Sequence, residues 1–171
     1  MANNCKATKV SGVIGLNETD AKAFREAVID ASQRDDVRNA IDALYQHVQY
    51  ATDLRRPVCV SSGRCCRFEE FGHRLFVTTM ELAAFVARAP GVQPVETGCP
   101  YQVGRLCGVH AIRPFGCRVF FCDETATEWQ RQLYDRIHCQ LKRMHDDMAV
   151  SYYYVEWQQA LRALSQVPLL L

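Results

Sequence analysis

The chain of 171 residues contains no long apolar segment. Its first residues lack the apolar core of a secretory signal peptide, and no uninterrupted apolar run is long enough to cross a membrane. These absences predict a cytoplasmic protein without a membrane partner. In that compartment thiols stay reduced, so clustered cysteines are more often metal ligands or redox groups than disulfides.

The chain also has almost no net charge, because 20 basic residues are offset by 19 acidic residues. A nucleic-acid partner held by a broad basic face is therefore not expected. A G-x-G-x-x-G phosphate-binding turn is absent too, and with it any recognisable nucleotide site. The sequence indicates no catalytic residue, and it leaves open whether the protein is an enzyme.

Cysteine, by contrast, is abundant and unevenly placed. Seven of the nine cysteines form two groups between residues 59 and 122, namely Cys59, Cys65, Cys66, Cys99, Cys107, Cys117 and Cys122. Structural cysteines behave as small hydrophobic residues and are usually scattered. The clustering therefore indicates either a disulfide framework or a thiolate metal site. The odd number of cysteines and the expected reducing compartment favour the metal site.

The spacing of these cysteines matches no standard metal motif. A C-x2-C pair, which builds zinc ribbons, is absent, and so are the cysteine runs of ferredoxins and radical enzymes. Only Cys117 and Cys122 fall within the spacing of a zinc knuckle. Neighbouring glycines and prolines supply the turns that sulfur atoms need to converge. Ligands from dispersed loops suit a cluster slightly better than a single zinc ion, and zinc remains the alternative.

The clustered residues occur in a recognisable order, which is Cys59-x-x-Ser62-Gly63-x-Cys65-Cys66, Val77-Thr-Thr-Met-Glu81, Cys99-Pro-Tyr, Cys107-Gly-Val-His110 and Arg113-Pro114-Phe-Gly-Cys117-Arg118. In this pattern residues 59–122 resemble the cysteine-cluster family of zinc- or iron-chelating proteins, the YkgJ type. The resemblance implies binding of a metal ion or an iron–sulfur cluster, and it implies no particular reaction. Ser62 stands where the family has its second cysteine. Cys122 is an additional cysteine, which would then replace the missing ligand.

All seven clustered cysteines are candidate ligands of an iron–sulfur cluster, with [4Fe–4S] preferred, or of zinc. Which four of them ligate is left open. Cys5 and Cys139 belong to neither group and are not expected to bind metal. His110 is expected to be a hydrogen-bonding group rather than a ligand, and His145 is expected at the surface or the edge of the core. Arg64 and Arg118 adjoin cysteines and are expected to offset the negative charge of a thiolate site.

Apolar residues recur at helical spacing on both sides of the cysteine region, over 37–51 and over 129–148. We therefore predict a mainly α fold, in which an irregular cysteine-rich metal-binding core with short strands is clasped by N-terminal and C-terminal helices. The expected organisation is a single domain over 1–171. It consists of a mobile arm (1–16), N-terminal helices (17–56), the cysteine-cluster region (57–123) and C-terminal helices (124–171).

Local signals refine this expectation. Asn17 with Asp20 marks a helix start, and a break near 32–35 divides the N-terminal region into two helices. Thr78-Thr-Met-Glu81 is a capping box that follows a short strand. We also expect a short strand over Val119–Phe121 and a last helix over Tyr152–Leu164.

Two functions follow from these observations. The first is a metal-binding protein that serves electron transfer, sensing or metal handling. The second is an enzyme in which the cluster is a structural or catalytic element. Such an enzyme would be redox-active, or it would be associated with methyltransferase activity, as relatives of the resembled family are. Neither the substrate nor a protein partner can be read from the sequence.

Overall fold

A computed structural model describes residues 17–89, 91 and 94–165. The predicted arm over 1–16, with Cys5, lies outside the described residues. The described part is mainly helical, as predicted, with short strands. Its elements are α1 (Glu18–Ser32), α2 (Asp35–Arg55), β1 (Phe76–Thr78), α3 (Thr79–Val86), β2 (Gln102–Val103), β3 (Leu106–Cys107), α4 (Phe115–Val119), α5 (Thr127–Asp147), β4 (Tyr154–Glu156) and α6 (Trp157–Ser165).

The two N-terminal helices begin and end where the sequence predicts. The side chain of Asn17 accepts a hydrogen bond from the backbone N–H of Asp20 at 2.9 Å, which caps α1. The break between Ser32 and Asp35 separates α1 from α2. The apolar stripe of α2 is buried, and both helices pack against α3. Burial of these stripes provides much of the hydrophobic stabilisation on this side of the protein.

The capping box at the start of α3 is present. The Thr78 hydroxyl accepts from the backbone N–H of Glu81, and the Glu81 carboxylate accepts from the backbone N–H of Thr78. Glu81 is almost fully buried, at 3% exposure. Its other carboxylate oxygen accepts from the N–H of Phe115, the first residue of α4, at 2.9 Å. One side chain therefore joins the beginnings of two helices.

The last predicted helix begins later than expected. Residues 154–156 form β4, which pairs antiparallel with β1 so that Val77 lies opposite Val155, and α6 starts only at Trp157. The stack of Phe76 on Tyr154, with ring centroids 5.1 Å apart, favours the extended backbone here. The strand hydrogen bonds and this aromatic pair prevail over the helical spacing of the apolar residues.

Two further expectations were wrong. The strand predicted over Val119–Phe121 does not form, because Phe115–Val119 are helix α4. Pro114 precedes the first turn of this helix, and Glu81 accepts from its first N–H. His145, expected at the surface or the edge of the core, is 1% exposed. Its Nε2 accepts from the N–H of Met80 at 3.5 Å and its Nδ1 lies 3.1 Å from the carbonyl oxygen of Val150.

No helix among the described residues is long and apolar enough to span a membrane.

Candidate functional site

All seven clustered cysteines line one cavity of about 260 Å³. They come from separate segments of the chain: the loop after α2, a 3₁₀ turn over Arg64–Cys66, the segment before β2, strand β3, helix α4 and the loop after α4. The seven thiols are free. We call this space the thiol cavity.

Backbone geometry holds the 3₁₀ turn and the Cys99 segment together. Gly63 has a φ of 75°, which opens the turn, and the backbone N–H of Cys66 donates to the Gly63 carbonyl. The N–H of Cys99 donates to the Cys66 carbonyl at 2.8 Å. A Cβ on Gly98 would lie 3.2 Å from that carbonyl oxygen. The closeness of Cys66 and Cys99 is therefore set by main-chain contacts as well as by side chains.

A small β-hairpin brings Cys107 to the cavity. Strands β2 and β3 pair so that Gln102 lies opposite Cys107, and Gly104 with Arg105 forms the turn. The hairpin packs against the turn at Gly63, where an added Cβ would lie 2.7 Å from the Gln102 amide nitrogen. The sequence reading missed this hairpin, although Val103-Gly-Arg-Leu106 contains the glycine turn signal for one.

Cys117 reaches the cavity from α4. The guanidinium of Arg113 donates to the carbonyl of Cys117 at 3.3 Å and to the carbonyl of His110 at 2.8 Å. Arg118 donates in turn to the Arg113 carbonyl at 2.9 Å. Together with the Glu81 contact at the start of α4, these bonds fix the position of the helix that carries Cys117.

Four sulfur atoms interact directly. The thiol of Cys66 is within hydrogen-bonding reach of Cys65, Cys99 and Cys107, and its single hydrogen can serve one of them at a time. Contact with this thiol lowers the pKa of Cys107 to about 6 and the pKa of Cys65 to about 7, because a hydrogen bond donated by Cys66 stabilises the thiolate that accepts it. The pKa of Cys99 is lowered for the same reason, and that of Cys66 is raised. These four form the inner group, in which Cys66 keeps its proton and its neighbours are shifted towards thiolate.

The remaining three cysteines form the outer group. Cys59 and Cys122 are exposed, whereas burial raises the pKa of Cys117. The hydroxyl of Ser62 lies 3.7 Å from the Cys122 sulfur. The backbone N–H of Val58 donates to the Asp123 carboxylate at 3.0 Å, and this bond joins the residues next to Cys59 and Cys122. Cys122 thus lies next to Ser62, which stands where the resembled family has its second cysteine. Cys122 was predicted to replace that cysteine as a ligand.

The positive charges at the cavity are not distributed as expected. Arg64, Arg105 and Arg113 line the cavity, and Arg113 lowers the pKa of both Cys65 and Cys107. Arg118, in contrast, places its guanidinium 4.1 Å from the ring centroid of Tyr45 and donates to backbone carbonyls. The sequence favoured Arg64 and Arg118, whereas the structure places Arg113 closest to the inner group.

Trp157 is a site residue that the sequence reading missed. It is fully buried and lines the cavity. Its indole N–H lies near Cys99 and helps to lower the pKa of that thiol, and this N–H makes no hydrogen bond among the described residues. A donor aimed at sulfur favours the thiolate. No local sequence signal links residue 157 to residue 99, since α6 reaches the cavity only through the pairing of β4 with β1.

Two other residues singled out in the sequence are described by the structure, His110 and Cys139. His110 lines the cavity and is exposed, and desolvation, Arg113 and Arg118 lower its pKa, which favours the neutral imidazole. Cys139 lies on α5 and is disulfide-bonded, which removes it from the set of thiolate donors. Cys5 is outside the described residues.

Among residues 17–89, 91 and 94–165, no three or more Cys, His, Asp or Glu side chains are arranged as a complete metal-ligand group. The inner sulfur atoms instead share hydrogen bonds, the arrangement of a partly protonated site. The donor set nevertheless has suitable chemistry, because soft thiolates are the preferred ligands of zinc and of iron–sulfur clusters. Comparison with family models, curated proteins and solved structures finds no match for this chain.

Proposed function

We propose that this protein binds an iron–sulfur cluster, with [4Fe–4S] preferred and zinc as the alternative, through cysteine thiolates of the thiol cavity. The observation that carries the proposal is the convergence of seven cysteines from dispersed segments on one cavity. A structural role as buried hydrophobic residues does not require such convergence. The resemblance of residues 59–122 to the cysteine-cluster family agrees with this proposal.

The proposed ligands are the inner group, Cys65, Cys66, Cys99 and Cys107. Their sulfur atoms already interact, and three of the four have a lowered pKa. A bound cation would displace the proton of Cys66, so that all four cysteines would be held as thiolates. The outer cysteines Cys59, Cys117 and Cys122 then complete the wall of the cavity.

The cavity has room for a cluster as well as for a single ion. Its volume of about 260 Å³ is many times the roughly 10–15 Å³ that a water molecule needs, and it includes the space beside the exposed Cys59 and Cys122. The reason for preferring a cluster is therefore the origin of the cysteines in dispersed segments.

The residues around the inner group suit a charged thiolate centre. Arg113 supplies positive charge, and the indole N–H of Trp157 lies near Cys99, has no hydrogen-bond partner among the described residues and lowers the pKa of that thiol. Leu75, Phe120 and Trp157 line the cavity and restrict the access of water. A bound iron–sulfur cluster would supply one-electron transfer, which makes electron transfer or redox sensing the proposed use. The seven free thiols suit the cytoplasm, which we propose as the location, although the disulfide at Cys139 is uncommon in that compartment.

The test is the metal and sulfide content of protein produced and purified without oxygen. We expect iron and acid-labile sulfide together, and absorption near roughly 400 nm that is lost in air. A colourless protein with one zinc ion per chain would show that the site binds zinc and not a cluster. A protein without either metal, after reconstitution with each in turn, would overturn the proposal.

Variants identify the ligands. Cys66→Ser should abolish stoichiometric metal binding, because Cys66 contacts the other three inner thiols. Cys122→Ser makes the same chemical change at an exposed free thiol outside the inner group and should leave the metal content unchanged. Equal metal loss in both variants, or in neither, would contradict the assignment of the inner group.

A further inference from the structure

A second cavity of about 270 Å³ adjoins the thiol cavity. The two cavities share four wall residues, Cys65, Leu75, Cys117 and Phe120. The second cavity therefore lies behind the sulfur-bearing wall and is open to a ligand that does not enter the thiol cavity.

Aromatic side chains dominate this second cavity. Its lining includes Phe68, His73, Phe76, Phe120 and Tyr134. The rings hold one another in place: His73 stacks on Phe120 with centroids 4.8 Å apart, and Phe76 stacks on Tyr154 at 5.1 Å. Preformed aromatic walls suit a flat ring, because aromatic pairs gain energy from offset stacking and edge-to-face contact.

The cavity also carries an unpaired positive charge. Two arginines line it, Arg74 and Arg131. Arg131 donates to Glu128 and to Asp135, so its charge is offset. Arg74 is exposed and makes no hydrogen bond or ion pair within the described chain. An acidic group on a bound molecule would pair with Arg74.

His73 adds an independent observation. Both imidazole nitrogens are shielded from solvent, and neither has a hydrogen-bond partner among the described residues. Buried polar atoms of this kind are rare and generally indicate a partner that is absent. The imidazole lines the same cavity as Arg74.

From this combination we infer that the second cavity binds a planar aromatic molecule with an acidic substituent, such as an aromatic carboxylate, sulfonate or phosphate. The ring lies among Phe76, Phe120 and Tyr134, and the acidic group pairs with Arg74. Bound there, the molecule contacts the wall that carries Cys65 and Cys117. The walls are built by protein alone, so this site exists whether or not the thiol cavity holds a metal.

The test uses 1-anilinonaphthalene-8-sulfonate, an aromatic sulfonate with a planar naphthalene ring, whose fluorescence rises on transfer from water to an apolar site. Titration of the natively folded protein should show saturable binding of one molecule per chain. Arg74→Glu replaces attraction by repulsion and should weaken this binding about tenfold or more. N-phenyl-1-naphthylamine has the same rings without the sulfonate, and its binding should change less than twofold in the same variant.

Arg136→Glu is the matched control, because Arg136 is also exposed and without a partner among the described residues. It should bind the sulfonate like the unchanged protein. Equal weakening by both variants, an unaltered affinity in Arg74→Glu, or unsaturable binding of many molecules would overturn the inference. The Cys66→Ser variant separates the two proposals, since it should lose the metal and keep sulfonate binding.

Discussion

Replacement of Glu81 by alanine should strongly destabilise the protein. The buried carboxylate accepts from the N–H and hydroxyl of Thr78, both at 3.0 Å, and from the N–H of Phe115 at 2.9 Å. The Tyr45 hydroxyl lies 3.5 Å away. Alanine leaves the amides of Thr78 and Phe115 buried without a partner, and each costs about 1–3 kcal/mol. We expect a total loss of about 2–6 kcal/mol in the free energy of unfolding.

Urea denaturation at pH 7, with reductant and without oxygen, measures this loss. Glu70→Ala is the matched control, because Glu70 forms an exposed ion pair with Arg67 and its loss should cost about 1 kcal/mol or less. A loss below about 1 kcal/mol for Glu81→Ala would show that water or neighbouring groups replace the carboxylate, and would refute the reasoning. Since α4 carries Cys117, the same variant should also speed the alkylation of Cys117 in folded protein.

Three further predictions concern the fold and the pH dependence of stability. Gly63→Ala should lower the free energy of unfolding, measured by urea denaturation, more than Gly72→Ala does. Both glycines have positive φ, but only at Gly63 does an added Cβ meet neighbouring atoms. Equal losses in the two variants would contradict this contact. Burial lowers the pKa of His145 from 6.5 to about 4, so the unfolded chain takes up this proton first as the pH falls. The stability that His145 contributes is therefore fully present above pH 6.5 and is lost as the pH falls towards 4. The expected loss in the free energy of unfolding is about 3 kcal/mol, because each unit of pKa shift corresponds to about 1.36 kcal/mol. His145→Gln should remove that part of the pH dependence, and an unchanged stability profile would mean that His145 is accessible to protons in the folded state. Cys65→Ser should lower the stoichiometry of bound metal as Cys66→Ser does, whereas Cys122→Ser should retain it. Metal loss in Cys122→Ser but not in Cys65→Ser would show that the ligands belong to the outer group.

The helical parts of the fold were predictable because local signals and tertiary contacts agree there. The Asn17 cap, the break after Ser32 and the capping box at Thr78 all depend on residues a few positions apart. Strand β4 was not predictable in this way, because its extended backbone depends on pairing with β1, about 78 residues earlier in the chain. A helical spacing of apolar residues gives no information about such a distant partner.

In the candidate site, too, the sequence predicts what depends on nearby residues and not what depends on distant contacts. The clustering of cysteines predicted which residues belong to the site, and all seven clustered cysteines line the cavity. The contacts that differentiate them were not predictable: Cys66 as the centre of the inner group, Ser62 beside Cys122, and Trp157 against Cys99. Each of these contacts joins segments whose relative position is set by the fold, and the side chains involved have no short-range pattern.

The position of Trp157 makes the protein its own optical probe. The indole borders the thiol cavity and faces Cys99, whereas Trp129, the other tryptophan, lies at the start of α5 and packs near Phe121. An iron–sulfur cluster absorbs broadly and would quench the ultraviolet emission of a neighbouring indole by energy transfer, whereas zinc, with a filled d shell, has no such absorption. The emission of Trp157 therefore distinguishes the two metals in the intact protein, and the gain or loss of a cluster can be followed in real time without a label.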